Sequence, residues 1–288
     1  MDQQEVIPDQ DILSNLKDKI VVIKYGGNAM IDNELKLGVM DDIATLHSLG
    51  VKPVVIHGGG PVIKETLDHA GIVSEFIGGH RKTDEQAMRY VEMALSGAVN
   101  GSLVSLLNIK GAKAVGLSGK DGGLVQVEKR YHQLANEDGT REVDLGHVGN
   151  VTGVDPELVY TLLENNFVPV IAPVSLGKDG KDYNINADMF AGNLAAALKA
   201  EAYVVLTDVD GLMKDIEKPE SLIHEITMAY LKEVMPEIVK GGMIPKVESC
   251  MIALEGGSGK ALIINGTRKH SILEALLTPQ PFGTQILP

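Results

Sequence analysis

The sequence predicts an α/β protein built on a mainly parallel β-sheet. Short runs of apolar, mostly β-branched residues recur along the chain. They lack the polar alternation of half-exposed strands, which is typical of central parallel strands covered on both faces. Segments with the helical spacing of apolar residues lie between these runs. Strands that alternate with helices in this way indicate a layered α/β fold.

The first predicted strand ends in a lysine and two glycines. The stretch Ile20–Ala29 reads IVVIKYGGNA, so Lys24 lies at the carboxyl end of the strand and Gly26 and Gly27 follow closely. Open α/β sheets bind ligands outside the carboxyl ends of their strands, where a cation and bare backbone N–H groups suit an anion. An ordinary strand followed by a loop, with a solvated lysine, also fits these residues.

A second strand repeats this arrangement after a helix predicted from Asp32 to Leu49. The strand Lys52–His57 reads KPVVIH, and Pro61 beyond it suits the first turn of another helix. His57 is interpreted as a structural residue at the strand end. Three glycines lie between strand and helix and leave the backbone open to a ligand: Gly58, Gly59 and Gly60.

The rest of the chain continues the alternation. Thr83 and Gln86 form a predicted capping box at a helix start, and the residues after Leu124 predict a β-hairpin with its turn at 137–140. A glycine- and charge-rich segment near Pro173 predicts a boundary between two lobes. The predicted division is a helical extension at 1–19, an amino-terminal lobe at 20–174 and a carboxyl-terminal lobe at 175–288.

Composition excludes several classes of function. A net charge of −13 disfavours nonspecific binding to nucleic acid or to acidic membranes. A single cysteine, Cys250, excludes an intrachain disulfide framework and fits a reducing compartment. The first residues lack the apolar region of a secretion signal, and no run of about 18 apolar residues indicates a membrane span. These features predict a cytoplasmic protein.

Two familiar nucleotide motifs do not fit the glycine-rich stretches. A P-loop at Gly259-Lys260 would need a glycine where Leu254 stands and a hydroxyl residue where Ala261 stands. A dinucleotide fingerprint starting at Gly58 would need a third glycine where Ile63 stands. The latter mismatch disfavours a NAD-dependent oxidoreductase.

Taken together, the motifs resemble those of the amino acid kinase superfamily, and within it the N-acetylglutamate kinases. The similarity runs from about Ile20 to the carboxyl terminus. The resemblance implies a three-layer αβα sandwich with the acetylglutamate in the amino-terminal lobe and ATP in the carboxyl-terminal lobe. The motifs that carry it, in order along the chain, are VVIKYGGNAM, VVIHGGGP, GHRKTD, AVGLSGKDG, DLGHVGNVTGV, NINAD, LTDVDGL, GGMIPK and FGT.

The resemblance also implies roles for particular residues. Lys24 and Lys246 would be the two lysines that stabilise the transition state, and Asp188 would orient them. The substrate would be held by Gly59, Gly60, Arg81 and Asn184, beside the phosphate-loop residues Gly26, Gly27 and Gly58. The nucleotide site would comprise Asp208, Val209, Asp210, Gly211, Leu212, Met213, Ile238, Val239 and Lys240.

The implied reaction moves the γ-phosphoryl group of ATP, bound with Mg²⁺, to the side-chain carboxylate of N-acetyl-L-glutamate in arginine biosynthesis. That carboxylate has an ordinary pKa of about 4.3 and is ionised at neutral pH, so no general base is required. The reaction instead requires positioned cations and N–H donors that cancel the repulsion between two anions. Two lysines and two glycine loops match this requirement. Adenine would lie among aliphatic groups, since the chain has no Trp and few aromatic residues.

Regulation by L-arginine and the oligomeric state stay open. Arginine-inhibited relatives carry an amino-terminal helix that links dimers into a hexamer, and Asp9 to Asp18 is a short version of it. His270, Glu274 and Gly283 would form the arginine site, but the glutamate lies four residues after the histidine where the family has five, and Ala275 occupies the expected place. Alternative functions are a kinase for aspartate, glutamate or carbamate, and a sensor without catalysis.

Overall fold

The computed structural model of the chain describes residues 6–30, 32–136 and 139–288. Strands and helices alternate along it as the sequence predicts. The strands are β1 (Ile20–Tyr25), β2 (Lys52–His57), β3 (Glu75–Ile77), β4 (His80–Lys82), β5 (Ala114–Ser118), β6 (Val125–Asn136), β7 (Gly139–Val154), β8 (Val168–Ala172), β9 (Val174–Leu176), β10 (Asp182–Ile185), β11 (Ala202–Thr207), β12 (Glu225–Thr227), β13 (Lys260–Asn265) and β14 (Thr284–Leu287). The helices are α1 (Gln10–Leu16), α2 (Asn33–Ser48), α3 (Gly60–His69), α4 (Glu85–Glu92), α5 (Asn100–Ile109), α6 (Glu157–Glu164), α7 (Ala187–Leu198), α8 (Met228–Ile238), α9 (Ile244–Glu255) and α10 (Ser271–Leu277).

The largest sheet has eight strands in the order β12-β14-β13-β11-β1-β2-β8-β5. Its neighbouring strands run parallel except β13 and β14, which are antiparallel. β1 lies inside the sheet between β11 and β2, so its carboxyl end is flanked by the carboxyl ends of two parallel strands. The prediction of a mainly parallel sheet is confirmed.

Helices cover both faces of this sheet. Val22 of β1 packs into one buried cluster with side chains of α6, α7, α8 and α9. Its neighbours Val21 and Ile23 pack into a second cluster with side chains of α2, α5 and α10. The predicted three-layer αβα sandwich is therefore confirmed, and burial on both faces explains why the apolar run of β1 does not alternate.

Two smaller sheets extend this core. β6 and β7 form the predicted hairpin and continue through β10 to β9, while β3 and β4 form a separate two-stranded hairpin. Residues 137 and 138 of the predicted turn at 137–140 lie outside the described residues. Residues 1–5 of the predicted extension also lie outside them. β10 lies beyond the predicted lobe boundary, yet it pairs with β7 and β9. The division into lobes stays a prediction.

One long helix of apolar composition packs against the edge of the sandwich. It runs over Glu85–Ile109 through α4, a π-helical segment at Met93–Val99 and α5, and by length and composition it could cross a membrane. It packs against α2, α3 and β5 of the sandwich.

The predicted cap at Thr83 was wrong, because the Asp84 side chain accepts the Ala87 N–H at 2.7 Å. Thr83 Oγ1 instead donates to the Arg81 carbonyl oxygen at 3.0 Å.

Candidate active site

Two lysines from distant parts of the chain meet on one buried carboxylate. Lys24 Nζ lies 2.9 Å from Asp188 Oδ1, and Lys246 Nζ lies 3.2 Å from Asp188 Oδ2. Lys24 and Asp188 are buried, whereas the side chain of Lys246 is 18% exposed. One carboxylate thus holds two ammonium groups side by side at the carboxyl end of β1.

Burial and charge act against each other in this triad. Burial lowers the pKa of Lys24, and Asp188 offsets only part of this effect. Burial would raise the pKa of Asp188, but Lys24 and Lys246 together hold it below its ordinary value. Asp188 is therefore ionised at neutral pH, and it pairs with both lysines.

Local structure fixes each member of the triad. Lys24 belongs to a central strand, and Lys246 lies in the first turn of α9, directly after Pro245, which is favoured at this end of a helix. Asp188 lies in the first turn of α7, where the positive end of the helix favours a carboxylate. Asn186 caps that helix, since its Oδ1 accepts the N–H groups of Asp188 at 2.9 Å and Met189 at 3.1 Å.

The two glycine loops lie against each other beside Lys24. Gly58 donates its N–H to the Tyr25 carbonyl oxygen at 2.8 Å, and a Cβ on Gly26 would lie 3.0 Å from Lys24 Nζ. A Cβ on Gly59 would lie 2.6 Å from the buried side chain of Leu95 in the π-helical segment, so any larger residue would displace Leu95. Nothing lies within 4 Å of the Cβ position of Gly60, which leaves its backbone accessible.

His57 has the structural role that the sequence indicates. Asn100 donates from Nδ2 to His57 Nε2 at 3.1 Å, so Nδ1 carries the proton and donates to the Gly58 carbonyl oxygen at 2.8 Å. Burial lowers the pKa of His57 to about 4, which keeps the imidazole neutral. The histidine thus anchors the second glycine loop.

Two connected pockets extend from the lysines toward α8. The first, called the lysine pocket, has a volume of about 380 Å³ and is lined by Lys24, Gly27, Asp208 and Lys246 among others. The second, called the apolar pocket, has a volume of about 320 Å³. Both contain Val209, Ile216, Lys240 and Met243. The rest of the apolar pocket is formed by Gly211, Leu212, Met213, Lys214, Asp215, Glu237 and Ile238.

Most residues predicted for a nucleotide line these pockets, but two have other positions. Asp210 accepts from Asn265 Nδ2 at 2.8 Å and from Arg268 Nη2 at 2.9 Å, which fixes the loop after β11. The side chain of Val239 is buried in the core. Both stay predictions as nucleotide contacts.

Sequence reasoning missed several pocket residues. Met243 stands inside the motif GGMIPK, so its place in the motif was an available signal. Ile216 is 78% exposed at the pocket rim, and nothing in its sequence context distinguishes it from a loop residue.

Arg81 lies next to the second glycine loop, and its predicted pairing with the substrate α-carboxylate stays a prediction. Its Nη2 is 3.5 Å from the Gly60 carbonyl oxygen, its Nη1 donates to Ser74 Oγ, and its guanidinium lies 4.6 Å from the centre of the Phe76 ring. These contacts hold the guanidinium over the amino end of α3.

A third pocket, called the polar pocket, adjoins this region and has a volume of about 250 Å³. Asn184 pairs with Val148 of β7, and Val148 lines the pocket. The other lining residues are His80, Arg130, Gly149, Asn150, Val151, Asn186, Met189, Asn193 and Ile252. Asn184 is thus placed beside a polar cavity rather than on the lysine triad.

The residues predicted for arginine lie at α10 and before β14. His270 precedes α10 in a left-handed conformation, Glu274 lies one turn into that helix, and the Gly283 carbonyl oxygen lies 3.3 Å from His224 Nδ1. His270 Nδ1 lies 2.8 Å from Asp42 Oδ1, and Asp42 Oδ2 accepts the Ile272 N–H at 3.2 Å. An arginine site here stays a prediction.

Asp42→Asn is expected to become more stabilising relative to the parent as pH rises. Burial raises the pKa of Asp42 to about 6, although His270 acts in the opposite direction. The folded state therefore favours the protonated carboxyl, and this contribution, about 2–3 kcal/mol, is lost as pH rises from about 4 through 6. Thermal unfolding of parent and variant between pH 4.5 and 7.5 measures it. The control is Asp41→Asn, because Asp41 is the exposed neighbour of Asp42 and pairs with Lys110. Its stability relative to the parent should not rise with pH. A difference between Asp42→Asn and the parent that does not change with pH would contradict the prediction.

Comparisons with known proteins agree with this geometry. Residues 19–265 match the model of the amino acid kinase family. The acetylglutamate kinase of Heliobacterium modesticaldum is 48% identical over 93% of this chain and 92% of its own length, and that of Methanocaldococcus jannaschii is 44% identical over 99% and 98%. The N-acetylglutamate synthase of Neisseria gonorrhoeae shares the fold, with a TM-score of 0.80 at 22% identity over 96% of this chain and 61% of its own. The chain therefore belongs to the amino acid kinase family and, within it, to the acetylglutamate kinases.

Proposed function

We propose that this protein transfers the γ-phosphoryl group of ATP to the side-chain carboxylate of N-acetyl-L-glutamate, giving N-acetyl-L-glutamyl 5-phosphate in the second step of arginine biosynthesis. The observation that carries the proposal is the pair of lysines on Asp188, at 2.9 and 3.2 Å, between the glycine loops and the lysine pocket. Family membership supports the same substrate. The cytoplasm, where Cys250 would stay reduced, is the proposed compartment.

The two lysines would act on charge rather than on protons. The acceptor carboxylate is already ionised, so the barrier comes from repulsion between two anions and from charge on the transferring group. Lys24 and Lys246 would stabilise that charge while Asp188 fixes the spacing of their ammonium groups. Backbone N–H groups of Gly26 and Gly27 would add donors, whereas the Gly58 N–H is bonded to the Tyr25 carbonyl oxygen and joins the two loops.

ATP would lie with its adenine in the apolar pocket and its phosphates in the lysine pocket. Aliphatic side chains such as Val209, Leu212 and Ile238 offer the adenine apolar contacts. The same pocket is lined by charged residues of both signs, namely Lys214, Asp215, Glu237 and Lys240. Among the described residues no three metal-ligating side chains lie together. Mg²⁺ would thus be held mainly by phosphate oxygens, and it would neutralise phosphate charge.

N-acetyl-L-glutamate would enter from the side of Arg81. Its reacting carboxylate would meet the N–H groups of Gly59 and Gly60, and its α-carboxylate would pair with Arg81. Asn184 would contact the substrate near the polar pocket, whose amide side chains suit an acetamido group. In this arrangement 20–174 would be the acetylglutamate lobe and 175–288 the ATP lobe.

Assembly and feedback complete the proposal. A homo-oligomer, either a dimer or a hexamer joined through α1, would form, and L-arginine would bind near His270, Glu274 and Gly283. The mass of the assembly in solution and the activity measured during an arginine titration test these two points separately.

The test of the activity is ATP- and Mg²⁺-dependent formation of an acyl phosphate, trapped with hydroxylamine as the hydroxamate. Glutamate, aspartate and carbamate serve as control acceptors. Signal confined to N-acetyl-L-glutamate is the expected result. Signal from a control acceptor alone would move the substrate to that acceptor, and no signal from any acceptor would favour a sensor without catalysis.

Arg81→Ala is expected to raise KM for N-acetyl-L-glutamate about 10- to 100-fold with little change in kcat. The proposed contact of Arg81 is present in ground and transition states alike, and a charge-assisted hydrogen bond is worth about 1.5–3 kcal/mol. Steady-state kinetics with each substrate varied measures this effect. Arg89→Ala, in an exposed arginine paired with Glu85, is the matched control. An unchanged KM would remove Arg81 from the substrate site.

A further inference from the structure

A pair of buried hydroxyl groups lies directly beneath the lysine triad. Tyr203, on β11, and Ser249, on α9, are both fully buried, and their oxygens lie 3.1 Å apart. Tyr203 Oη also lies 3.3 Å from the Asp188 carbonyl oxygen, and Ser249 Oγ donates to the Lys246 carbonyl oxygen at 2.7 Å. The pair therefore connects the backbones of two triad residues through the central sheet.

The number of protons restricts how this pair is bonded. Each hydroxyl has a single proton, and the shortest contact assigns the Ser249 proton to the Lys246 carbonyl oxygen. The Tyr203 proton is then left for Ser249 Oγ and the Asp188 carbonyl oxygen. Burial raises the pKa of Tyr203 well above its ordinary value, so the phenol keeps this proton at all working pH values.

Close packing of α7 on α9 makes the connection stiff. A Cβ on Gly192 would lie 2.5 Å from the Ser249 carbonyl oxygen and 2.9 Å from its Cα, so the two helices cross in backbone contact at this point. Gly192 is one turn after Asp188, and Ser249 is one turn after Lys246. A small change at the crossing thus directly alters the distance between the side chains of Asp188 and Lys246.

We propose that Tyr203 and Ser249 are positioning residues that set the distance between Asp188 and Lys246 and thereby the geometry of phosphoryl transfer. Neither side chain touches the pockets or the reacting atoms. They act by fixing the first turns of α7 and α9 against β11. The proposal rests on the proposed function for its kinetic effect, but the geometry it describes exists without substrate.

Tyr203→Phe tests the proposal by removing a hydroxyl and keeping the ring. We expect kcat for N-acetyl-L-glutamate to fall about ten-fold with both KM values within about two-fold of the parent, since misplacement by 1 Å costs up to about 10²-fold in rate. Ser249→Ala should act in the same direction. The double variant should be little worse than either single variant, because the two hydroxyls act as one unit.

Ser258→Ala is the matched control. Ser258 is also buried, and its Oγ donates at 3.1 Å to the Ala195 carbonyl oxygen, toward the other end of α7. Ser258→Ala should lower the thermal unfolding midpoint, as Tyr203→Phe does, but should leave kcat unchanged. An unaltered kcat in Tyr203→Phe, or an equal loss in Ser258→Ala, would overturn the proposal.

A second readout does not depend on the substrate. Limited acetylation with acetic anhydride, followed by peptide mass spectrometry, compares the reactivity of Lys246 with that of Lys232, an exposed lysine on α8. Tyr203→Phe should raise the Lys246 to Lys232 ratio, because a looser α9 frees the Lys246 amine from Asp188, and Ser258→Ala should not. An unchanged Lys246 to Lys232 ratio in Tyr203→Phe would overturn the positioning role. This conclusion would hold even if the protein phosphorylated an acceptor other than N-acetyl-L-glutamate, because the measurement uses no substrate.

Discussion

Lys24→Ala is expected to lower kcat by about 10²-fold or more, as removal of a preorganised charge donor commonly does. The ammonium group is fixed by a central strand and by Asp188 at 2.9 Å, so it is already positioned before the transfer begins. KM for ATP should change much less than kcat, because the remaining pocket residues still bind the nucleotide. Steady-state kinetics of the hydroxamate-trapping assay measures both.

Two further variants make this result interpretable. Lys24→Met keeps the apolar stem in the core, so a loss of kcat common to both substitutions reports the charge rather than a cavity. Lys232→Ala removes an exposed lysine paired with Glu255 at 2.6 Å and should leave kcat unchanged. Turnover within a few-fold of the parent in both Lys24 variants would remove Lys24 from the catalytic site.

Local sequence signals predict much of the fold around this lysine. The apolar run of β1 is correctly read as a strand covered on both faces, and Pro61 lies in the first turn of α3 as predicted. These features depend on neighbours along the chain. The misplaced cap at Thr83 shows their limit, because Thr83 and Asp84 are both good caps and tertiary packing decides between them.

Features that depend on distant contacts are not predictable from one sequence in this way. The antiparallel direction of β14 depends on its pairing with β13, and the burial of Tyr203 between α7 and α9 depends on the crossing at Gly192. The triad is predicted by resemblance to the family and not by spacing, since Lys24 and Lys246 are far apart in the chain. Only the fold brings them to one carboxylate.

That carboxylate gives the last prediction. Asp188→Asn is expected to lower kcat by about 10²-fold or more at neutral pH, because the two ammonium groups lose the anion that holds them together. The amide keeps the size of the side chain but leaves two cations facing each other in a buried site. The thermal midpoint should also fall, since removal of one partner leaves buried charge uncompensated.

The pH dependence separates this electrostatic role from a general loss of structure. Burial and Lys246 lower the pKa of Lys24, whereas Asp188 raises it. Removal of the Asp188 charge must therefore lower the pKa of Lys24 further below its ordinary value. If protonated Lys24 is required, activity is lost as pH rises through that pKa, and the alkaline limb of the kcat profile should move to lower pH in the variant. Rates at saturating substrates between pH 6 and 10 measure the limb. Asp144→Asn, in an exposed carboxylate paired with Lys129 at 2.7 Å, should leave it in place. A limb that stays fixed or moves to higher pH in Asp188→Asn would show that the carboxylate does not control the charge of Lys24.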